Sequence, residues 1–180
     1  MSGPRIAVVG TSGSGKSTLA ERLSAELAVP LVELDAINWQ AGWRDLQTHD
    51  PDEFKRRTAL ATAGDAWVVA GNYSLVRPAY WHRVTHAVWL DYPRSVVMRR
   101  VVWRSLLRAL DGKELWPGTG NREGFRDWLD KEHPIRWAWD THARNRERYA
   151  AMAADPANAH IVFLRLTEPR AARDVASRLA

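Results

Sequence analysis

A glycine-rich stretch near the start of the chain limits the fold more than any other feature. Residues 6–19 read IAVVGTSGSGKSTL and fit the pattern G-x-x-x-x-G-K-[ST]. Residues 6–9 are typical of a buried strand, and Leu19, Leu23 and Leu27 are spaced for the apolar face of a helix. The alternative is an ordinary Gly/Ser-rich turn before a helix. Strand, complete motif and helix together favour a phosphate-binding loop.

This loop is predicted to hold a nucleoside triphosphate. Glycines let the backbone wrap closely, so that amide N–H groups and the helix N-terminus face a phosphate. Lys16 would reach the β- and γ-phosphates, and the Ser17 hydroxyl would ligate Mg²⁺. The nucleotide contacts predicted from the motif are Gly10, Thr11, Ser12, Gly13, Ser14, Gly15, Lys16, Ser17 and Thr18.

Length and composition exclude several classes of protein. A chain of 180 residues suits one compact domain, spanning 1–180. The apolar runs are far shorter than the roughly 20 residues of a membrane span, and there are no cysteines to form disulfides or thiolate metal sites. MSGPRIAVVG enters the first strand at once, so we expect no signal peptide. We therefore expect a cytoplasmic protein that does not contact membranes.

The basic residues are mostly arginine. The net charge is +5, and only four of the 26 basic residues are lysine. Arginine forks suit phosphate recognition, although such a surplus could also indicate nucleic-acid binding or an arginine-rich proteome. The arginines concentrate in two predicted helices and do not form a long basic stretch interleaved with aromatic residues. This distribution favours a phosphate donor over nucleic acid as the partner.

The order of predicted elements indicates an α/β fold. Strands alternate with helices, which favours a five-stranded, mostly parallel sheet with helices on both faces. The glycines and the proline of residues 111–132 predict a mobile lid. Further strands are predicted at 31–35, 66–71, 86–91 and 160–165. Helices are predicted at 50–63, 93–110 and 134–152 and after Thr167, with Asp50 as the cap of the first.

Four short strings carry a family resemblance: LDAINW (34–39), WVVAGNY (67–73), WLDYP (89–93) and GNRE (120–123). Together with the phosphate loop, the chain resembles the adenylate-kinase-like branch of small P-loop kinases over essentially its whole length. The four strings resemble a bacterial group labelled "topology modulation" proteins. That resemblance implies the P-loop NTPase fold but no particular substrate.

The resemblance also implies roles for arginines beside the lid. Arg100, Arg104 and Arg108 recur every four residues and share one helix face. In adenylate-kinase-like enzymes two arginines with this spacing contact the nucleotide, which implies Arg100 against the adenine or phosphates and a catalytic Arg104 on the phosphates. The next helix supplies further arginines, here a catalytic Arg144 and a substrate-binding Arg136. The alternative is a solvated charged face.

The loop after the last strand often borders the nucleobase in such kinases. Arg165 begins that loop in the string HIVFLRLTEP, and we expect it to contact the nucleotide. A plain surface loop is the alternative.

The acceptor side departs from nucleoside monophosphate kinases. The third strand of such kinases ends with an acid followed by Gly and soon an arginine, whereas this chain has Ala70 before Gly71 and no arginine until Arg77. Asp35 ends the predicted second strand, where open α/β sheets place ligands. In P-loop kinases that phosphorylate alcohols, such as shikimate, gluconate and chloramphenicol kinases, an aspartate near this place contacts the acceptor hydroxyl. We expect Asp35 to orient that hydroxyl or accept its proton, the alternative being a turn cap.

Aromatic and amide side chains follow the second and third strands. Trp39, Trp43, Asn72 and Tyr73 would line an acceptor cleft for a ring-bearing or sugar-like molecule, since Trp and Tyr offer stacking faces with one polar handle. Trp39 and Trp43 could instead belong to the core. Trp67, Trp89 and Trp103 fit strand or helix patterns and are predicted to be core residues, and Asp91 is predicted to cap the next helix.

These observations predict a kinase that uses ATP or GTP with Mg²⁺ to phosphorylate a hydroxyl of a small molecule, such as a nucleoside-like metabolite or antibiotic. A nucleoside monophosphate kinase with relocated acceptor arginines is the second hypothesis. A nucleotide-binding regulator is the third, and it would show tight ATP binding without transfer. We expect a monomer or homodimer.

Overall fold

Five parallel strands form the centre of the protein. The computed structural model describes residues 3–124 and 133–179. All four pairs of neighbouring strands in this sheet are parallel. The predicted α/β class and five-stranded sheet are therefore confirmed. Within the described ranges, no helix is both long and apolar enough to cross a membrane.

The sheet strands are β1 (Arg5–Gly10), β2 (Leu31–Glu33), β5 (Trp67–Ala70), β6 (His86–Leu90) and β7 (Val162–Leu166). Their order across the sheet is β2-β5-β1-β6-β7. The longer helices are α1 (Lys16–Leu27), α4 (Pro51–Ala61), α5 (Arg94–Asp111) and α6 (Pro134–Ala154). Between β2 and α4 lie α2 (Leu34–Asn38), β3 (Trp39–Gln40), β4 (Arg44–Asp45) and α3 (Leu46–His49).

The core lies on both faces of the sheet because successive side chains of a strand point in opposite directions. Ile6 and Val8 of β1 pack with Leu23 of α1 and Val101 of α5. Ala7 and Val9 face the other layer. Because both faces are covered, β1 is buried along nearly its whole length, as its β-branched run predicts.

The helix signals at Asp50 and Pro134 are confirmed. The Asp50 side chain accepts a hydrogen bond from the Glu53 amide, with Pro51 in the first turn of α4. Pro134 likewise begins α6. A capping carboxylate and a first-turn proline are reliable because both act within one turn of helix.

The chain after β2 differs from the prediction. The second strand ends at Glu33, and Asp35 lies in the first turn of the five-residue helix α2. A two-stranded antiparallel hairpin, β3–β4, then pairs Trp39 with Asp45 and Gln40 with Arg44. Helix and strand elements this short carry too little periodicity to be read from sequence.

Three further predictions were wrong. Trp103 was expected in the core but is 60% exposed on α5, whereas Trp67 and Trp89 are buried as expected. Asp91 does not cap α5, whose N-cap is Pro93; its buried carboxylate pairs with arginines instead. No α-helix follows Thr167 in the described residues up to 179, where the chain forms 3₁₀ turns.

Candidate active site

The phosphate loop joins β1 to α1 and is packed against its surroundings. Gly10 and Gly13 have positive φ angles of 148° and 81°. A Cβ on Gly10 would lie 2.8 Å from the Leu90 oxygen, and one on Gly13 would lie 2.7 Å from the Val101 Cβ. Neighbouring backbone and α5 therefore leave room only for glycine, and the loop keeps a concave shape that would fit a phosphate.

Lys16 begins α1 and lies close to two other charged groups. Its Nζ donates to the Thr11 carbonyl oxygen at 3.1 Å. Burial lowers the pKa of Lys16 to about 8; Asp35 opposes this shift and Arg104 adds to it. Lys16, Asp35 and Arg104 therefore interact electrostatically within one site.

One face of α5 supplies arginines to this site. Arg100 donates to the Ser14 carbonyl oxygen at 2.8 Å and lies over the Tyr92 ring, with 5.2 Å from Cζ to the ring centroid. Burial lowers the pKa of Arg104, and Arg108 contributes to this lowering. The Arg104 Nε is buried without a hydrogen-bond partner among the described residues. A buried guanidinium N–H without an acceptor is suited to an anionic ligand.

These groups line a single cleft with a volume of about 530 Å³. The cleft brings together the phosphate loop, the acid that follows β2 and the arginine face of α5. Its lining includes ten residues that the sequence predicts for the site: Ser12, Gly13, Ser14, Gly15, Lys16, Ser17, Thr18, Asp35, Arg100 and Arg104.

Asp35 lines the cleft and is bound by the side chain of Tyr73. The Tyr73 hydroxyl donates to Asp35 Oδ1 at 2.6 Å. Its neighbour Asn72 donates from Nδ2 to the Gly10 carbonyl oxygen at 2.5 Å and accepts from the Tyr149 hydroxyl at 2.5 Å. Asn72 therefore links the turn after β5 to the start of the phosphate loop.

Trp39 and Trp43 form an aromatic cluster with Trp116, which the sequence analysis did not assign. The ring planes of Trp39 and Trp116 are nearly parallel, and their centroids are 6.3 Å apart. The Trp43 ring stands edge-on to both, at 5.6 and 6.0 Å. Trp39 is partly buried and Trp43 is 41% exposed. The three rings thus form a surface cluster beside α2.

The lid was predicted at residues 111–132, of which the structure describes residues 111–124. This described part, which contains Trp116, is here called the lid segment. Residues 125–132 of the prediction lie outside the described residues. Asn121, which is buried, fastens the lid segment to the β3–β4 hairpin. Its Nδ2 donates to the Gln40 carbonyl oxygen, and its Oδ1 accepts from the Trp43 amide, both at 2.9 Å. Glu123 lies 3.6 Å from Arg108. The lid segment therefore contacts both the β3–β4 hairpin and the arginine face of α5.

Three arginines that were predicted for the site are not part of the lining of the cleft. Arg136 pairs with Asp140 at 3.5 Å beside a separate shallow pocket, and Arg144 is exposed on α6. Arg165 donates twice to Asp91, at 2.8 and 2.5 Å, and its Cζ lies 4.7 Å from the Trp89 ring centroid. Asp91 neutralises Arg165, and this arrangement gives no support to a nucleobase contact.

Several cleft residues were missed by sequence reasoning. Arg108 completes the four-residue repeat of α5, a signal that was present in the sequence. Arg22, Tyr92 and Pro169 also line the cleft, but a single arginine, tyrosine or proline carries no motif. Pro169 belongs to the loop predicted to border the base, so that loop reaches the cleft through a residue other than Arg165.

Sequence comparison finds kinases among curated relatives. A shikimate kinase from Nitrobacter winogradskyi is 30% identical over 126 residues, which cover 62% of this chain and 59% of that protein. A bifunctional pantoate ligase/cytidylate kinase from Gloeobacter violaceus is 35% identical over 89 residues, or 47% of this chain and 17% of that one. The chain thus spans less than two thirds of either relative. No family model matches it.

Solved structures share the fold over nearly the whole chain. A shikimate kinase from Acinetobacter baumannii in complex with shikimate gives a TM-score of 0.56 at 18% identity, covering 98% of this chain and 90% of that one. A gluconokinase from Sinorhizobium meliloti gives 0.53 at 19% identity, covering 99% and 94%.

The protein therefore has the P-loop NTPase fold found in shikimate kinase. Its relatives and structural neighbours are P-loop kinases that act on small molecules. The narrower resemblance to the "topology modulation" group stays a prediction.

Proposed function

We propose that the protein is an ATP-dependent kinase that transfers the γ-phosphoryl group to a hydroxyl of a small, ring-bearing molecule. The observation that carries the proposal is the position of Asp35 in the same cleft as Lys16 and the phosphate loop. The similarity to shikimate kinases and to a gluconokinase, enzymes whose names denote hydroxylated acceptors, supports it.

The donor side of the cleft would hold the triphosphate by charge and by backbone amides. Phosphoryl transfer depends mainly on positioning and on neutralising charge away from water. Lys16 would bind the β- and γ-phosphates, while Arg100 and Arg104 would contact the phosphates from α5. The concave loop and the unpartnered Arg104 Nε fit an anionic group. Ser17 would ligate Mg²⁺, which when bound offsets the phosphate charge.

Asp35 would orient the acceptor hydroxyl and receive its proton. The acceptor oxygen forms a bond to the γ-phosphorus, and the bond from that phosphorus to the β–γ bridging oxygen breaks. The nucleoside diphosphate leaves with the electron pair of that bond, and the hydroxyl proton passes to Asp35 and then to water. An alcohol needs such a carboxylate, whereas an ionised phosphate acceptor does not.

The aromatic cluster supports a ring-bearing acceptor. Trp39 follows the helix that carries Asp35, and Trp43 and Trp116 stand beside it. Aromatic faces bind planar rings and the apolar faces of sugars. We propose that an acceptor would lie between this cluster and Asp35, with residues 111–132 acting as a lid.

A nucleoside monophosphate kinase is the second candidate, favoured by the relative that includes a cytidylate kinase. Such an enzyme would need arginines on the acceptor side. Arg57, which reaches the Gln40 side chain of the β3–β4 hairpin at 3.3 Å, is paired with Glu53 at 2.7 Å, and this pairing leaves it poorly placed to bind an acceptor phosphate.

Asp35→Asn tests the proposal. Nucleosides, sugars and aminated antibiotics are screened as acceptors by release of ADP, with AMP, CMP and UMP for the second candidate. With an active alcohol, the variant should lose about 10²- to 10⁴-fold in kcat, the usual contribution of a general base, while the affinity for an ATP analogue changes little. The exposed Asp174 provides the control, Asp174→Asn. Unchanged kcat in Asp35→Asn, or stimulation by monophosphates alone, would reject the alcohol-kinase assignment.

A further inference from the structure

The hydrogen bond between Tyr73 and Asp35 joins two neighbouring strands of the sheet at their carboxyl ends. Asp35 lies two residues beyond β2, and Tyr73 lies three residues beyond β5. The two strands are paired in parallel. The bond, 2.6 Å long, reaches Oδ1 of the carboxylate and leaves Oδ2 without this contact.

The Tyr73 ring is held in place by its packing. It stands edge-on to Phe54 of α4, with ring centroids 5.1 Å apart, and Phe54 is completely buried. Burial and the charge of Asp35 raise the pKa of Tyr73 far above its usual value. The phenol therefore keeps its proton at every pH at which the protein would work, and it remains a hydrogen-bond donor.

The residue before Tyr73 fixes the same turn to the phosphate loop. Asn72 binds the Gly10 carbonyl oxygen on one side and the Tyr149 hydroxyl on the other. Tyr149 is buried in α6. The turn after β5 consequently cannot shift relative to the loop without breaking these bonds, so Tyr73 presents its hydroxyl from a fixed position.

We propose that Tyr73 is a positioning residue that holds Oδ1 of Asp35 so that Oδ2 is the oxygen that meets the acceptor hydroxyl. This inference rests on the proposed function for its catalytic consequence, but the Tyr73–Asp35 interaction itself does not. It differs from the sequence-based expectation, in which Tyr73 contacts the acceptor directly.

Two cations also act on Asp35. Lys16 and Arg104 both interact electrostatically with its carboxylate. Removing the Tyr73 phenol would leave both cations in place and would remove only the hydrogen bond at Oδ1. Any change at Asp35 in Tyr73→Phe would therefore report the loss of this bond.

The first experiment measures Asp35 directly and needs no enzymatic activity. The side-chain carboxyl carbon of Asp35 is followed by NMR at one fixed pH, with Asp35→Asn identifying its signal. Tyr73→Phe should move the chemical shift of this signal, because the substitution removes the hydrogen bond to Oδ1. The control is Tyr80→Phe, which removes the phenol of another buried tyrosine that packs on Trp67. An unmoved Asp35 signal in Tyr73→Phe, or an equal movement in Tyr80→Phe, would overturn the proposal.

The second experiment uses kinetics with an active acceptor. Tyr73→Phe should lower kcat by about 10- to 100-fold, the factor associated with a hydrogen bond to a charged group, and leave the acceptor KM within about threefold. In the Asp35→Asn background the same substitution should cost almost nothing, since Tyr73 acts through Asp35. A raised KM with normal kcat, or an equal loss in both backgrounds, would show that Tyr73 contacts the acceptor itself.

The two experiments separate the failure of this inference from the failure of the proposed function. If no acceptor is phosphorylated but the Asp35 NMR signal moves as expected, the kinase assignment fails and the positioning of Asp35 stands. If transfer occurs but the signal stays, the positioning role fails alone. Thermal unfolding of Tyr73→Phe confirms that the variant is folded in either case.

Discussion

Replacing Asn121 by Ala should release the lid segment from the β3–β4 hairpin. The asparagine makes two hydrogen bonds of 2.9 Å to hairpin backbone, one of them to the amide of Trp43. Trp43 has a positive φ of 59°, which costs an L-residue on the order of 1 kcal/mol and persists because neighbouring contacts hold it. The substitution thus removes the contacts that hold a strained turn.

The size of the effect follows from the two hydrogen bonds, each worth about 1 kcal/mol. The strain at Trp43 is present in the closed state of both proteins and cancels between them. Local opening should therefore become easier by about 2 kcal/mol, or about 30-fold in its equilibrium constant. Hydrogen exchange measured by mass spectrometry reports such local opening directly.

Faster exchange is expected in the hairpin, residues 39–45, and in the lid segment. Asn158→Ala is the matched control, because Asn158 also makes two hydrogen bonds, each 2.8 Å, to Trp81 and Met152. Asn158 precedes the amino-terminal end of β7, whereas the cleft lies at the carboxyl ends of the parallel strands, where it is lined by Gly71, Leu90 and Pro169. Exchange in the hairpin that stays at the wild-type rate in Asn121→Ala, or that rises equally in Asn158→Ala, would refute the reasoning.

Two further outcomes can be measured. Because the pKa of Lys16 is lowered to about 8, the side chain is charged below that pH and neutral above it. Calorimetry should therefore show that binding of an ATP analogue weakens as the pH rises through 8. Binding should also take up a proton in that range. Lys16→Arg should abolish this dependence, and binding that is level from pH 7 to 9 in the wild type would contradict it. Gly13→Ala should lower the free energy of unfolding by about 1 to 3 kcal/mol more than Gly118→Ala. The φ angles of the two glycines match, at 81° and 84°, but only at Gly13 would an added Cβ clash with Val101. Equal thermal shifts in the two variants would show that Val101 moves to accommodate the new methyl group.

The sequence predicted the parts of the site that depend on local rules. The phosphate loop could be assigned because Gly10, Lys16 and Ser17 form a motif whose geometry requires those residue types at that spacing. Asp35 was singled out because polar groups at the carboxyl ends of parallel strands meet ligands. These inferences needed no knowledge of contacts between distant segments.

Long-range contacts explain what was missed. Asn121 lies about 80 positions from the two hairpin groups that it binds, and nothing near it in sequence indicates that partnership. Arg165 was predicted to contact the nucleotide and Asp91 to cap a helix. The adjacent strands β6 and β7 bring the two side chains together instead, and Arg165 donates a hydrogen bond to Asp91. Trp103 follows the periodicity of α5, yet the buried and cleft-facing sides of that helix are taken by Val101 and Arg104, which leaves it at the surface.

The bond from Asn121 to the hairpin has a consequence for engineering. A chimera that exchanged residues 39–45 alone for those of a relative would place foreign backbone against Asn121 and Trp116, and the new turn would lose its support. A chimera that exchanged residues 39–45 together with the lid segment would keep the matching contacts of the relative. Exchange of both segments should therefore give a folded protein, and exchange of either segment alone should not.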